Sequence, residues 1–153
     1  MALVAESPGK PAICFARSAE PMPLRISLKA GERLIVGGAV VKSGKSRCDL
    51  IIENDVPILR GREVLSLDDA DSPCRRIVFT IQLMYVDPAH AVEHHALFVQ
   101  LVEDVLRASP SMTPLIAEIG ERIAAGQFYP ALKLGRKLMA YEEELISHVA
   151  VRS

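Results

Sequence analysis

The chain of 153 residues has no tryptophan, three cysteines and only 5% aromatic residues. Each scarcity excludes something. Cys14, Cys48 and Cys74 are odd in number and far apart, with no Cys-x-x-Cys spacing, so neither a disulfide framework nor a zinc site is indicated. They read as small buried or incidental side chains. No apolar run approaches the roughly 18 residues of a membrane span, and the first residues lack the basic start and long apolar stretch of a secretory signal. No membrane association is expected, and the location implied is the cytoplasm. From Met22 to Leu65 there is no aromatic residue at all, which argues against a base-stacking platform of the usual single-strand type.

What is present is ordinary globular composition, 50% hydrophobic and 24% charged, enough to fold without metal or disulfide staples. The net charge of -1 conceals an asymmetry. Residues 22 to 65 hold eight bases against five acids, whereas residues 66 to 153 hold eight against twelve. A basic module followed by an acidic one points to an anionic ligand for the first and a protein partner for the second.

Residues 1–21 carry three prolines and no sustained period, so no stable element is expected there. Met22 is then a candidate translation start and the leader a candidate non-native extension. From Leu24 the pattern alternates, Leu24, Ile26 and Leu28 against Arg25, Ser27 and Lys29, as a half-buried strand does. Short β-rich runs follow at 34–36, 39–42, 48–53 and 56–59, separated by Ala30-Gly31-Glu32, Gly37-Gly38, Ser43 to Ser46 and Asn54-Asp55. Pro57 lacks an amide donor and confines the last strand to an edge.

Past Leu65 come helices, opened by Ser72-Pro73, Asp87-Pro88 and Thr113-Pro114, with a fourth from about Pro130 to His148. Asp68, Asp69 and Asp71 stand where carboxylates suit the positive end of the first helix dipole. Ile77, Ile81 and Met84 form its inner face. The second helix carries Val92, Ala96, Val99, Val102 and Leu106, widened by Phe98, Leu101 and Val105, which predicts burial on more than one side. Leu115, Ile116, Ile119 and Ile123 face inward on the third, which Gly126 ends in a left-handed conformation. Leu134, Leu138, Tyr141 and Leu145 share one face of the fourth. The fold class expected is α+β: a basic antiparallel module of about five short strands over 22–66, then an acidic bundle of about four helices over 67–150.

Few motifs carry chemistry. Ala39-Val-Val-Lys-Ser-Gly-Lys-Ser46 ends like a phosphate-binding loop, but the pattern needs glycine where Ala39 stands and a helix where a strand follows. His90 and His94 lie four apart on a helix, short of the four ligands of a structural zinc site, so no metal or other cofactor is expected. Glu142, Glu143 and Glu144 point around a helix axis and read as a solvated face or partner contact. No nucleophile elbow or other catalytic constellation occurs, so the chain is read as a non-enzyme. The better candidate is the basic face of the β module. Arg25 and Lys29 project from the first strand and Arg60 and Arg62 follow the last, so that pairing of those two strands would unite them in one phosphate-binding patch. An edge strand protected by charge is the plainer alternative.

The run from Met22 to Val40, then Leu50 to Asn54, Ile58 to Glu63, Arg76 to Tyr85 and Ala131 to Glu143 resembles the FlbT family, over Met22 to about Leu145. That resemblance implies a post-transcriptional repressor of flagellin synthesis, which associates with the 5′ untranslated region of flagellin mRNA and promotes its decay. It also implies a FlaF-like protein or flagellin as a protein partner, and a homo-oligomer stays open. The β module alone is similar to the carbon storage regulators, in which the arginine closing the last strand contacts RNA. Arg60 holds that place here and Lys29 the basic place at the end of the first strand, while Leu28 and Pro57 depart from the pattern. The rival reading is an adaptor that binds a protein through the helical half and affects the message indirectly.

Overall fold

A computed structural model of the chain describes residues 23–152, apart from the side chain of Arg62. The leader, with Cys14, lies outside the described residues. Among them are five strands followed by four α-helices, the α+β class expected: β1 Leu24–Leu28, β2 Arg33–Val36, β3 Ala39–Lys42, β4 Cys48–Ile52 and β5 Ile58–Arg60, then α1 Pro73–Val86, α2 Ala91–Ala108, α3 Thr113–Ala124 and α4 Phe128–Arg152. The strands form two antiparallel sheets, β1-β4 and β3-β2-β5. The described residues divide into two compact units, one of residues 23–32 with 42–56, the other of residues 33–41 with 57–152.

In the first unit, β1 and β4 pair from Leu24 opposite Ile52 to Leu28 opposite Cys48. Alternation along β1 buries Ile26 and Leu28 and leaves Arg25 exposed. The turn after β1 is held by backbone as well as side chains. Gly31, at φ +75°, takes the left-handed conformation that favours glycine. Its amide donates to the Gly44 carbonyl at 3.1 Å, and the Ser43 amide donates to the Glu32 carbonyl at 2.9 Å. The buried Ser43 hydroxyl donates to the Lys29 carbonyl and accepts from the Glu32 amide, so the Ser43 to Ser46 segment serves as a buttress and is followed by β4, not by a phosphate-binding helix.

In the second unit, β5 lies at the edge of its sheet among the described residues and pairs with β2, as suits a strand following Pro57. Ile35 of β2 and Leu59 of β5 join one apolar core with Cys74, Ile77, Val78, Ile81 and Met84 of α1, Ile116, Ile119 and Ile123 of α3, and Leu138 of α4. The segment between β5 and α1 is pinned by Gln82, whose buried amide accepts from the Leu65 nitrogen and donates to the Leu65 oxygen, both at 2.9 Å. This two-way bond satisfies both polar atoms of a backbone unit that no ladder serves.

Ser72 caps α1, accepting from the Arg75 amide at 3.2 Å, and Pro73 occupies the first turn, where an amide hydrogen would go unused. The carboxylate at this helix end, however, is not one of the three nearby aspartates. Asp69 accepts from Ser66 instead, and Asp71 pairs with Arg75. Glu142 of α4 does the work: only 8% exposed, it accepts from the Ser72 hydroxyl and from the Cys74 amide at 3.1 Å. The acidic run is therefore not all solvated face. Burial, and next the Glu142 charge, push the Cys74 thiol up to about 12, so this cysteine is an inert core side chain beside Met112.

The other helix ends follow the sequence with small shifts. A 3-10 turn, Pro88–His90, precedes α2, and another, Pro110–Met112, precedes α3. Gly126, at φ +75°, ends α3 as expected, its amide bonded to the Ile123 carbonyl and that of Gln127 to the Arg122 carbonyl. One expectation fails. α2 buries Phe98 and Val105 on one side, but Leu97 and Val99 are exposed and Val92 is 82% exposed, because α2 has α1 for a neighbour and nothing among the described residues covers its far side. The apolar spacing was too broad for a single interface.

α1 and α4 approach closely at Gly135, where an added Cβ would lie 2.8 Å from a Val78 methyl. Gly135→Ala should lower stability by about 0–2 kcal/mol, the overpacking cost less the gain of replacing a helical glycine. Adding Val78→Ala should recover part of that loss relative to Val78→Ala alone. Denaturant unfolding of the three variants checks both statements, and additive effects would show that the methyl is not crowded. Glu142→Ala leaves buried donors unsatisfied and should cost about 1–3 kcal/mol, whereas Glu143→Ala, which removes only the exposed pair with Arg75, should cost about 0–1 kcal/mol.

Candidate functional site

The sequence-predicted basic residues fall on two units. Arg25 stands on the outer face of β1, opposite Ile51 and next to the Ser27–Asp49 pair, where the hydroxyl donates to the carboxylate at 2.6 Å. Lys29 follows at the end of the strand; its amide donates to the Glu32 carboxylate at 2.9 Å, fixing the backbone while the side chain is exposed. Arg60 ends β5 and is exposed, and the side chain of Arg62 is not among those described. The first and last strands do not pair. β1 takes β4 and β5 takes β2, so Arg25 and Lys29 share the first unit and Arg60 belongs to the second. The turn chemistry between the strands was legible, but which strand meets which is decided by side-chain packing far along the chain.

What surrounds Arg60 is better built than the sequence foretold. Gly61, at φ +55°, turns the chain into the 3-10 segment Gly61–Glu63. The Glu63 carboxylate then accepts from the Arg136 guanidinium at 2.7 Å and from the Tyr129 hydroxyl at 2.9 Å, both on α4, and the Arg60 amide lies 3.5 Å from its other oxygen. Burial by itself would raise the Glu63 pKa, but the bonds from Arg136, Tyr129 and the Arg60 amide outweigh it and hold the carboxyl below its usual value. Tyr129 is raised, chiefly by donating to Glu63. The Lys133 ammonium stands over the Tyr129 ring, 5.0 Å from its centre.

Two further features belong to the helical part. Asp87 accepts from His90 Nδ1 at 2.9 Å and is 3.1 Å from His94 Nε2, so both histidines are spent on one aspartate at the start of α2, and no metal-binding group of three or more His, Cys, Asp or Glu exists among the described residues. These bonds, His90 first, lower the Asp87 pKa and raise that of His90. Beside them an open apolar groove of about 330 Å³ is lined by Met84, Ala91, Val92, His95, Ile123, Ala124 and Phe128. Among the described residues no helix is long and apolar enough to cross a membrane.

The Glu63 tie has a pH sense. Because the folded carboxyl titrates below its unfolded value, its contribution to stability is complete above the ordinary glutamate range and is lost as pH falls through the lower, folded value. Protection of the Gly61 to Val64 amides from hydrogen exchange, relative to the intrinsic rate at each pH, should therefore be high at neutral pH and fall in acid, and Glu63→Gln should flatten that profile. An unchanged profile in the variant would separate the tie from Glu63 ionisation.

Comparison with known proteins bears on what these surfaces serve. The family described as flagellar protein FlbT matches residues 24–146. The chain is 42% identical over 125 residues to the probable flagellum biosynthesis repressor protein FlbT 1 of Bradyrhizobium diazoefficiens, covering 81% of this chain and 85% of that one. It is 38% identical over 132 residues to the probable flagellum biosynthesis repressor protein FlbT of Caulobacter sp., covering 84% and 100%. It is 35% identical over 132 residues to the flagellum biosynthesis repressor protein FlbT of Caulobacter vibrioides, covering 84% and 93%. No solved structure matches. With the family pattern running from β1 into the second half of α4, and relatives aligned along most of their own length, the chain belongs to the FlbT family of flagellar proteins.

Proposed function

We propose that this chain is a cytoplasmic, non-enzymatic repressor of flagellum biosynthesis that acts after transcription, associating with the 5′ untranslated region of flagellin mRNA and promoting its degradation. The observation that carries the repressor role is membership of a family whose relatives are named flagellum biosynthesis repressors. The RNA contact draws on the exposed Arg25 and Lys29 of the first unit and on Arg60 at the end of β5. Guanidinium and ammonium groups on a fixed backbone grip phosphates without a stacking platform, which suits a β module free of aromatic residues.

A second reading has its own support. The uncovered side of α2, with Val92, Leu97 and Val99, and the groove beside it favour an adaptor that binds flagellin or a FlaF-like protein and reaches the message through that partner.

Titration of the purified protein against the 5′ leader RNA of its host's flagellin message, across a range of salt, separates the two. Direct binding predicts affinity that falls steeply with salt, and Arg25→Ala, Lys29→Ala or Arg60→Ala should each weaken it and flatten the salt slope by about one. Affinity independent of salt would remove the phosphate grip. Absence of RNA binding together with capture of purified flagellin or FlaF would favour the adaptor.

A further inference from the structure

The helical half is acidic as a whole, yet its acids are not spread evenly. None of its twelve acids falls between Glu121 and Glu142, a stretch that holds Arg122, Lys133, Arg136 and Lys137. Lys133, Arg136 and Lys137 lie three and four residues apart in the first half of α4, hence on one helix face, and all three are exposed. Tyr129 is one turn earlier on that face, and its ring lies under the Lys133 ammonium. The Glu63 carboxylate, bonded to Tyr129 and Arg136 together, draws the turn that follows Arg60 onto this same face.

Three bases on α4 and Arg60 at the end of β5 thus belong to one side of the second unit. The acid bonded to this face, Glu63, is spent on holding the turn. Its bond to Arg136 neutralises one guanidinium, and what is left unbalanced on α4 is Lys133 and Lys137.

We propose that this face of α4, through Lys133 and Lys137 beside Arg60, is a phosphate-binding surface for RNA, so that the grip on the message extends past the β strands onto the helical unit. The inference rests on the RNA-binding reading above and deepens it by naming residues in the half that looks acidic. Arg136 and Tyr129 are positioning residues: through Glu63 they set the turn against α4. The two lysines, point charges on flexible stems, give affinity without sequence preference.

The test uses the whole protein and the same leader RNA. Lys133→Ala/Lys137→Ala should reduce affinity and lower the salt slope by about two, with stability lowered by no more than the roughly 1 kcal/mol of the lost contact with the Tyr129 ring, while Lys133→Arg/Lys137→Arg retains affinity and slope. If the wild-type protein binds and the alanine variant keeps its affinity and slope, this surface is wrong while RNA binding by the chain stands. If the wild-type protein does not bind the leader, both proposals fall, and loss of flagellin capture in the alanine variant would then assign the face to a protein. Arg136→Ala should loosen the Gly61 to Val64 amides in hydrogen exchange as well as weaken RNA binding, a structural readout that the lysine variants should not move.

Discussion

The second unit is organised by the contact between α1 and α4. Gly135 leaves just enough room for Val78, and one end of the same contact is closed by a carboxylate from α4 set over the first turn of α1. Removing a carboxylate from water costs several kcal/mol in a protein interior, so Glu142 is tolerable only because its oxygens meet a hydroxyl, a backbone amide and the positive end of a helix. The same bonds answer the problem of α1, whose first amides would otherwise lack partners. Two deficits that would each destabilise the fold are removed by one side chain, and the direction of α4 relative to α1 follows.

From that contact the position of the basic turn follows in turn. Because α4 is fixed along α1, Tyr129 and Arg136 present a hydroxyl and a guanidinium at a set spacing, and Glu63 accepts from both. Gln82 of α1 holds Leu65 two residues further on. The link from β5 to the helices is therefore fastened at two points by side chains of two different helices. Arg60 stands at the start of a held segment, which lowers the conformational entropy lost when a ligand is gripped there.

Gripping an anion and recruiting a protein place different demands on a surface, and the chain carries candidates for each on different elements. Positive charge is exposed on β1, at the end of β5 and on the first half of α4, while apolar side chains are exposed along α2 and around the groove by Phe128. Asp87 with His90 and His94 lies at the start of α2, next to His95 in the groove wall, so the apolar surface is bordered by polar, hydrogen-bonded groups.

Strands and helices were legible in the residues themselves. Period-two alternation in Leu24 to Leu28, glycines where the backbone takes positive φ at 31, 37 and 126, and Ser72-Pro73 before an apolar helix are local signals, and local sterics and capping decide them. Charge order along the chain was legible too, though an average over the helical half hid the acid-free stretch before Glu142. Strand partners, the covered side of α2 and the fates of Glu63 and Glu142 were decided only by tertiary structure. A sequence pattern says which face of an element is apolar, but a carboxylate becomes a cap or a clasp only when packing brings donors from residues about seventy positions away.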